Sequence, residues 1–400
     1  MPLRPLVTRA KPAVKNTLGT TKSKSNRERN SGIQALRAVA VLAVVTYHLN
    51  PSWLPGGFLG VDIFFVLSGF VITQSLQRDL SSGLRSMLYR FYVKRFLRIA
   101  PALFVCLGVT AVFVGLFVPH GFFPLGGGQG WTAIAATFGV SNISLYLEDV
   151  GYFSERIAFN AYSHTWSLGV EEQFYLLFPL LLGLVFLGPR LGHSRARWLA
   201  ILATSALTLS SFLWSALQTS ENFVGAFYLL PSRFWQLGAG ALCAMSLQVF
   251  LERKSLETRK TLIWLAAGLP ILIISFVNAS SDGVPFPWGL GAAIATLMLI
   301  LAFQVDTAVL PTAVRTVVTN RALLAVGDWS YSLYLWHWPV IVLFRWTVGI
   351  DLWWHIFVAL VLTFLLGFLS YSFVERPVLD RDFHLWLSPK KIISIGVASA

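Results

Sequence analysis

The sequence predicts an all-α integral membrane protein with about ten transmembrane helices in one bundle. Of its 400 residues, 56% are hydrophobic and 12% are charged, and the mean hydropathy is +0.66. Soluble domains carry about a quarter charged residues. A membrane bundle is therefore favoured over the two or three soluble domains that the length alone suggests.

The number of helices follows from the apolar runs. A bilayer core about 30 Å thick needs roughly 20 mostly apolar residues per crossing. Ten runs qualify or nearly qualify: 33–49, 58–76, 99–118, 168–188, 198–217, 231–250, 261–278, 288–304, 329–346 and 353–373. The run 132–148 is interrupted by Ser141 and Asn142, and a crossing there would turn the basic loop after 188 outward. Residues 119–165 are therefore predicted to form one external segment.

The basic residues predict the topology. All but four of the 31 Lys and Arg residues fall on one side of the ten-span arrangement; the exceptions are Arg37, Arg156, Arg233 and Arg345. Because positive loops stay inside, both termini are predicted to be cytoplasmic in a multi-pass membrane protein. The net charge of +13 then indicates orientation and contact with membrane lipid, and no nucleic acid partner is expected.

Three regions are predicted along the chain. Residues 1–31 are basic and lack an apolar core, so we expect a disordered cytoplasmic arm. Residues 32–379 form the membrane domain, and residues 380–400 form a cytoplasmic tail that ends in an incomplete apolar run. The two cysteines lie singly in apolar runs, so neither a disulfide framework nor a metal site is expected.

Polar residues inside the apolar runs are the candidate functional residues. Arg37 and His48 are eleven residues apart, which on a helix is about 20° beyond three full turns and about 16 Å along the axis. They are predicted to share one face, although snorkelling and interfacial positions are the alternative. Asp62 lies at the depth of His48, where it either orients the imidazole or stabilises a helix N-terminus.

Two further runs carry polar residues at their ends or centres. The run Ser163 to Tyr175 contains Glu171 and Glu172, and the spacing leaves open which one faces the bundle. In the ninth run Tyr331, Tyr334 and Trp338 form one stripe, which is usual for packing, but His337 at mid-depth is not. Before the third run, Arg90, Lys94, Arg95 and Arg98 anchor the chain to anionic lipid or cradle a phosphate.

These motifs together resemble the acyltransferase type 3 family of bacterial envelope acyltransferases over residues 32–379. The resemblance rests on Arg37-x10-His48, the run Gly60 to Phe70, Arg95-x-x-Arg98, the segment Trp166 to Tyr175, the segment Tyr331 to His337, and Glu375-Arg376-Pro377. It implies a ten-helix core and acyl transfer from cytosolic acyl-coenzyme A, commonly acetyl-CoA, to a hydroxyl of an envelope glycan acceptor. It also implies a location in the bacterial cytoplasmic (inner) membrane. Many members of the family add an external SGNH hydrolase-like domain, so a separate periplasmic SGNH-type partner is a further expectation.

The resemblance and the chemistry of the residues assign expected roles. The catalytic residues are expected to be His48 as general base, with Asp62 and Glu172. The donor is expected to bind at Arg37, Arg95 and Arg98, with its phosphates at Arg95 and Arg98 and with Arg37 at the inner end of the cavity. The oxyanion or the acceptor is expected at Ser68, Trp166, Tyr331, Tyr334 and His337. The alternative from another class is a multi-pass transporter of a small anionic or sugar substrate, in which the same polar residues form a substrate path or proton relay.

Overall fold

The protein is described by a computed structural model that covers residues 18–80, 83–118, 128–149, 151–186, 193–251, 258–304 and 307–380. These residues form helices and connections, with no strand among them. The helices are α1 (Leu18–Leu49), α2 (Gly60–Asp79), α3 (Leu84–Phe117), α4 (Gln129–Thr137), α5 (Ser141–Leu147), α6 (Glu155–Ala158), α7 (Trp166–Phe186), α8 (His193–Glu221), α9 (Phe223–Tyr228), α10 (Leu230–Leu251), α11 (Thr258–Asn278), α12 (Trp288–Ala302), α13 (Thr312–Val318), α14 (Arg321–Thr347), α15 (Trp353–Ser370) and α16 (Arg376–Asp380).

The ten predicted spans coincide with helices α1, α2, α3, α7, α8, α10, α11, α12, α14 and α15. Six of them, α1, α2, α3, α8, α11 and α15, are long and apolar enough to cross a membrane by length and composition. Helix α12 has 15 residues, and α7, α10 and α14 carry charged side chains. The all-α membrane fold is confirmed, and the count of ten crossings stays a prediction.

Two helices begin earlier than predicted. The backbone of α1 is helical from Leu18, so helix extends into the segment expected to be a disordered arm; residues 1–17 lie outside the described residues. Helix α3 begins at Leu84 rather than near residue 99, after Gly83 at a φ of 81°. The run 84–98 is amphipathic and free of proline, so it continues the helix. Of the predicted tail 380–400, all but Asp380 lies outside the described residues.

The segment predicted to be external contains α4, α5 and α6, and none of these short helices is long enough to span a bilayer. Buried polar contacts hold this segment on the end of the bundle. Asn160 Nδ2 donates to Thr132 Oγ1 at 2.9 Å, and Trp338 Nε1 of α14 donates to the Asn160 carbonyl at 2.7 Å. Asn142 donates to the Tyr228 carbonyl at 3.0 Å. Of the two polar residues that interrupt the run 132–148, Asn142 is therefore buried in these contacts and Ser141 is buried beside it, so neither faces lipid.

Helices α2 and α10 are in close contact through two glycines. A Cβ at Gly69 would lie 1.8 Å from the Leu237 carbonyl oxygen, and a Cβ at Gly240 would lie 2.0 Å from that of Val66. Small residues of this kind allow helix backbones to approach closely in membranes. The approach places the first turns of α2 and α10 side by side, where polar side chains of both helices meet.

The outer surface of the bundle is apolar. Large side chains of α8 and α15 are exposed, including Leu202 at 64%, Leu217 at 61% and Trp353 at 78%. A soluble protein rarely exposes a continuous apolar surface of this kind. The surface is suited to contact with lipid, while the polar side chains of the spanning helices turn inward.

Candidate functional site

A cavity of about 430 Å³ lies between α1, α2, α3, α7 and α14. We call it the basic cavity, because Arg37, Lys94, Arg95 and Arg98 are among its lining residues. It lies toward the end of the bundle at which α2 ends and α3 begins, which we call the basic end. Six residues predicted for the site line it: Arg37, Ser68, Arg95, Arg98, Tyr331 and Tyr334. Sequence positions that are nearly 300 residues apart therefore meet in one cavity.

The three arginines of the cavity are held by different partners. Arg37 Nε donates to Ser330 Oγ at 3.1 Å. The Arg95 guanidinium lies 5.2 Å from the ring centre of Tyr175, within range of a cation–π contact. Arg98 Nη2 lies 3.8 Å from Glu375 Oε1. Each guanidinium keeps further N–H donors, so the cavity is suited to an anion with several acceptor oxygens.

Glu375 is the buried partner of Arg98. It lies in the π-helical turn Tyr371–Glu375 between α15 and α16 and is 1% exposed. Its Oε2 accepts a hydrogen bond from Ser332 Oγ at 3.0 Å. π-Helical turns are frequent at functional sites. This turn brings a carboxylate behind Arg98 and fixes the position of the guanidinium.

Of the two neighbouring glutamates on α7, Glu171 faces the basic cavity. Ser68 Oγ donates to Glu171 Oε1 at 3.1 Å, and the Tyr175 hydroxyl donates to Glu171 Oε2. Glu172 points elsewhere and lies beside Gly139 of the α4–α5 connection. Consecutive helical positions differ by about 100°, so only one of the pair can face the cavity. The structure therefore places Glu171, and not the predicted Glu172, at the basic cavity, and the catalytic role predicted for Glu172 stays a prediction.

The Tyr334 hydroxyl lies at the boundary between the basic cavity and a cluster of histidines. It donates to the His164 carbonyl at 2.9 Å and lies 2.7 Å from Ser167 Oγ, which also lines the cavity. Because the Tyr334 proton is used on the carbonyl, the Ser167 hydroxyl is the donor in the second contact. Tyr331 is engaged differently, since its hydroxyl donates to the Ile99 carbonyl at 2.8 Å.

His48 and His337 form a buried pair beyond this boundary. His48 Nδ1 lies 3.2 Å from His337 Nε2, and the His48 Nε2 atom lies 3.1 Å from the Tyr152 hydroxyl. His337 Nδ1 lies 2.5 Å from the Tyr334 carbonyl, which can only accept, so Nδ1 carries the proton. In a neutral pair His337 Nε2 then accepts from His48 Nδ1, and His48 Nε2 is left as the acceptor. The assigned tautomers make His48 Nε2 the available base.

His164 completes the histidine cluster without a hydrogen bond to it. Its ring centre lies 5.8 Å from that of His337. Neither ring nitrogen has a hydrogen-bond partner among the described residues, and the side chain is 1% exposed. Within the described ranges no three His, Cys, Asp or Glu side chains are grouped as metal ligands.

Asp62 does not support His48, which corrects the predicted pairing. Asp62 Oδ1 lies 3.2 Å from Arg233 Nη1 and accepts a hydrogen bond from Gln236 Nε2. The carboxylate and the guanidinium are 3% and 1% exposed. A buried carboxylate is costly unless a cation pairs with it, and the close approach of α2 and α10 supplies the cation. The hydrogen bonds of His48 come from Tyr152 and His337 instead.

A small cavity of about 10 Å³ brings three of the five remaining predicted residues together. His48, Asp62 and Trp166 line it, as do Tyr152 and Arg233. The Arg233 guanidinium lies 5.2 Å from the ring centre of Trp166. The predicted residues Trp166 and Asp62 therefore lie near His48, although neither is hydrogen bonded to it.

Sequence reasoning assigned no role to Tyr152, His164, Arg233 or Glu375. Arg233 had a signal, because it was one of four basic residues left inside the spans or outside, and a charge within a span needs a partner. Glu375 and His164 lie within or beside motifs that carried the resemblance. Tyr152 had none, since it lies in a connection between short helices.

Comparisons with known proteins give a consistent set of relatives. A family model described as an acyltransferase domain matches residues 30–372. The chain is 31% identical over 369 residues to the putative peptidoglycan O-acetyltransferase YrhL of Bacillus subtilis, covering 88% of this chain and 55% of that protein. It is 31% identical to the O-acetyltransferase OatA of Staphylococcus aureus over 90% of this chain and 59% of that protein.

A third relative is the peptidoglycan O-acetyltransferase OatA of Listeria monocytogenes, 32% identical over 378 residues, with 90% of this chain and 57% of that protein covered. The chain thus spans slightly more than half the length of these curated relatives. No solved structure matches the chain.

Proposed function

This chain belongs to the acyltransferase type 3 family, and we propose that it is a membrane-embedded O-acyltransferase that moves an acyl group from acyl-coenzyme A to a hydroxyl of a cell-envelope glycan. The names of the relatives support an acetyl group as the cargo and peptidoglycan as the acceptor class. The observation that carries the proposal is a basic cavity that ends at a hydrogen-bonded histidine pair.

The donor is proposed to bind in the basic cavity. Coenzyme A carries several phosphates, and guanidinium groups are the preferred partners of phosphate oxygens. Arg95 and Arg98 lie at the basic end. Arg37 also lines the cavity, and it lies about 16 Å from His48 along the axis of α1, toward the start of that helix. A volume of about 430 Å³ is within the range of small-molecule pockets and accommodates the acyl-pantetheine arm. The nucleotide part then lies at the mouth of the cavity.

The chemistry is a direct transfer across the boundary at Tyr334. The acceptor hydroxyl gives its proton to His48 Nε2 as its oxygen attacks the thioester carbonyl. A C–O ester bond forms, the C–S bond breaks, and the departing thiolate takes up the proton. The hydroxyls of Ser167 and Tyr334 line the basic cavity beside the histidine cluster. To stabilise the developing oxyanion, Tyr334 turns its proton away from the His164 carbonyl, or Ser167 turns its proton away from Tyr334.

The proposed topology separates the two substrates. The basic end faces the cytoplasm, where acyl-coenzyme A is present, and the end that carries His48 faces outward. The acceptor approaches from outside, and the acyl group alone changes sides. Both termini are cytoplasmic in this arrangement, and the exposed apolar side chains contact the lipid of the cytoplasmic membrane.

The test is acyl transfer by the purified protein in liposomes, with labelled acyl-coenzyme A on the basic side and a peptidoglycan fragment on the other. An Arg95→Ala, Arg98→Ala double variant is expected to bind coenzyme A at least about tenfold more weakly, since each charged hydrogen bond contributes about 1.5–3 kcal/mol. An Arg78→Ala, Arg85→Ala double variant is the matched control, because both residues lie at the same end outside the cavity.

Two results would contradict the proposal. If the two double variants bind coenzyme A with equal affinity, Arg95 and Arg98 do not bind the donor, and their role is contact with anionic lipid. Intact acyl-coenzyme A after incubation with the wild-type protein and acceptor, together with movement of a labelled solute across the membrane, would favour the transporter.

A further inference from the structure

A second sizeable cavity lies at the end of the bundle opposite the basic end. Its volume is about 350 Å³. Its lining comes from the connection before α6, from the last turn of α8 and the first residue of α9, and from the connection between α11 and α12. We call it the Asp282 cavity; its lining residues are Gly151, Phe153, Ser154, Thr219, Phe223, Ser281 and Asp282. None of these residues has a place in the donor site.

We propose that the Asp282 cavity binds the acceptor saccharide, a neutral, polyhydroxylated sugar chain. This inference rests on the proposed function, because it assumes that a glycan hydroxyl is the acceptor. Two features of the lining fit a sugar. The rings of Phe153 and Phe223 offer apolar faces to the C–H groups of a pyranose, and hydroxyl and carboxylate groups offer partners to its O–H groups.

The polar part of the lining is able to take up hydroxyl donors. Asp282 is exposed and accepts from Ser281 Oγ at 3.2 Å, which leaves further acceptor sites on the carboxylate. Thr219 Oγ1 donates to the Ser215 carbonyl at 2.7 Å, so its lone pairs are free to accept. The cavity therefore presents more acceptors than donors, which suits a ligand rich in O–H groups.

The position of the cavity relative to His48 is the second argument. Phe153 lines the Asp282 cavity, and its neighbour Tyr152 lines the 10 Å³ cavity that contains His48. The Tyr152 and Phe153 ring centres are 5.2 Å apart, and Phe153 lies 5.4 Å from Phe58 and 5.5 Å from Phe227. The Phe153 and Tyr152 rings thus lie in sequence between the proposed sugar site and His48.

Tyr152 marks the position of the reacting hydroxyl. Its O–H donates to His48 Nε2 at 3.1 Å, which is the bond that an acceptor hydroxyl must make for proton transfer. In the reacting complex the acceptor hydroxyl takes the place of the Tyr152 hydroxyl at Nε2. Gly151 lies on the same connection and lines the Asp282 cavity. No atom lies within 4 Å of the position that its Cβ would occupy, which leaves room for the sugar on that side.

The experiment measures binding and transfer separately on the full-length protein in nanodiscs. The probe is the β-1,4-linked tetramer of N-acetylglucosamine, and its binding is followed by saturation-transfer NMR in the absence of acyl-coenzyme A. Asp282→Ala is compared with Asp351→Ala, an exposed acidic residue on another connection at the same end. Thr219→Trp, which would fill the cavity, is compared with Ser220→Trp at the exposed neighbouring position.

Asp282→Ala and Thr219→Trp are each expected to weaken tetramer binding at least about tenfold. The first removes a charged hydrogen bond, and the second fills the cavity with a large side chain. Coenzyme A affinity should stay within about twofold, and so should tetramer binding by both controls. Tetramer binding that is absent in the wild type, or equal in the variants and their controls, would overturn the sugar site. The absence of acyl transfer by the wild type, with tetramer binding intact, would instead overturn the proposed function.

Discussion

The replacement of His48 by alanine is the most direct test of the proposed chemistry. His48 Nε2 is the nitrogen that the hydrogen-bond directions leave as an acceptor, and its present partner is a hydroxyl. Removal of a general base lowers rates by about 10²–10⁴. We expect this loss in acyl transfer at saturating donor, while coenzyme A affinity and membrane insertion remain close to wild type, because His48 lies outside the basic cavity.

His337 should give a smaller loss of a different origin. Its Nε2 accepts from His48 Nδ1 and so keeps the proton of His48 on Nδ1, but it is not the nitrogen that contacts the Tyr152 hydroxyl. His337→Ala removes one acceptor of the His48 N–H and leaves the Val44 carbonyl as the other. The loss of one hydrogen bond of about 0.5–1.5 kcal/mol corresponds to roughly 2- to 13-fold in rate. The order of activity is therefore expected to be wild type, then His337→Ala, then His48→Ala.

The assay is single-turnover acyl transfer in liposomes, with coenzyme A binding measured in parallel. His355→Ala is the matched control, because His355 of α15 is also buried yet lies outside the cavities that contain the donor arginines and His48. It should retain at least about half of the wild-type turnover. Near-normal turnover of His48→Ala, or a larger loss in His337→Ala, would show that the base is not His48.

Three further predictions concern the glutamates. Glu171→Gln should lower transfer more than Glu172→Gln, since only Glu171 accepts hydrogen bonds in the basic cavity; equal losses in the transfer assay would argue against this. Glu375→Gln should raise the KM for acyl-coenzyme A several-fold with little change in kcat, because Arg98 loses its ion-pair partner, and a fall in kcat alone would point to a different role. A cysteine at Glu155 should react with an impermeant thiol reagent from outside, and labelling from the cytoplasmic side only would refute the topology.

The positions of the helices were predictable because burial in lipid depends on composition over about 20 residues. The shared face of Arg37 and His48 was predictable too, because it depends only on helical periodicity within α1. The structure confirms it, since both residues contact α14, through Ser330 and His337. They do not share one cavity, however, because Tyr334 and its hydrogen bonds lie at the boundary between them.

Contacts between distant segments were not predictable in this way. The partner of Asp62 is Arg233, 171 positions along the chain, and its place depends on two glycines that let α2 and α10 approach. Their positions in the apolar runs predicted that His48 and Asp62 lie at the same depth in the membrane. Depth alone, however, does not determine which neighbouring helix a side chain faces. The sequence left the choice between Glu171 and Glu172 open for a related reason, because it depends on the rotation of α7 about its own axis.

The pairing of Asp62 with Arg233 has a consequence for the mechanism. Neither His48 nor His337 has a carboxylate among its hydrogen-bond partners in the described structure. An imidazolium at His48 would also lie near positive charge, since its ring is 4.7 Å from Trp338, over which the Arg345 guanidinium is placed at 5.2 Å.

A proton on His48 would therefore have no carboxylate to stabilise it, unlike the histidine of a Ser-His-Asp triad. The proton must pass on as soon as it arrives, and the thiolate of coenzyme A, leaving through the basic cavity, is the group in the proposed reaction that needs it. Proton transfer to His48 and departure of the thiolate are for this reason expected to be closely coupled. If the two events occur in one step, the rate of single-turnover acyl transfer should be lower in D₂O than in H₂O.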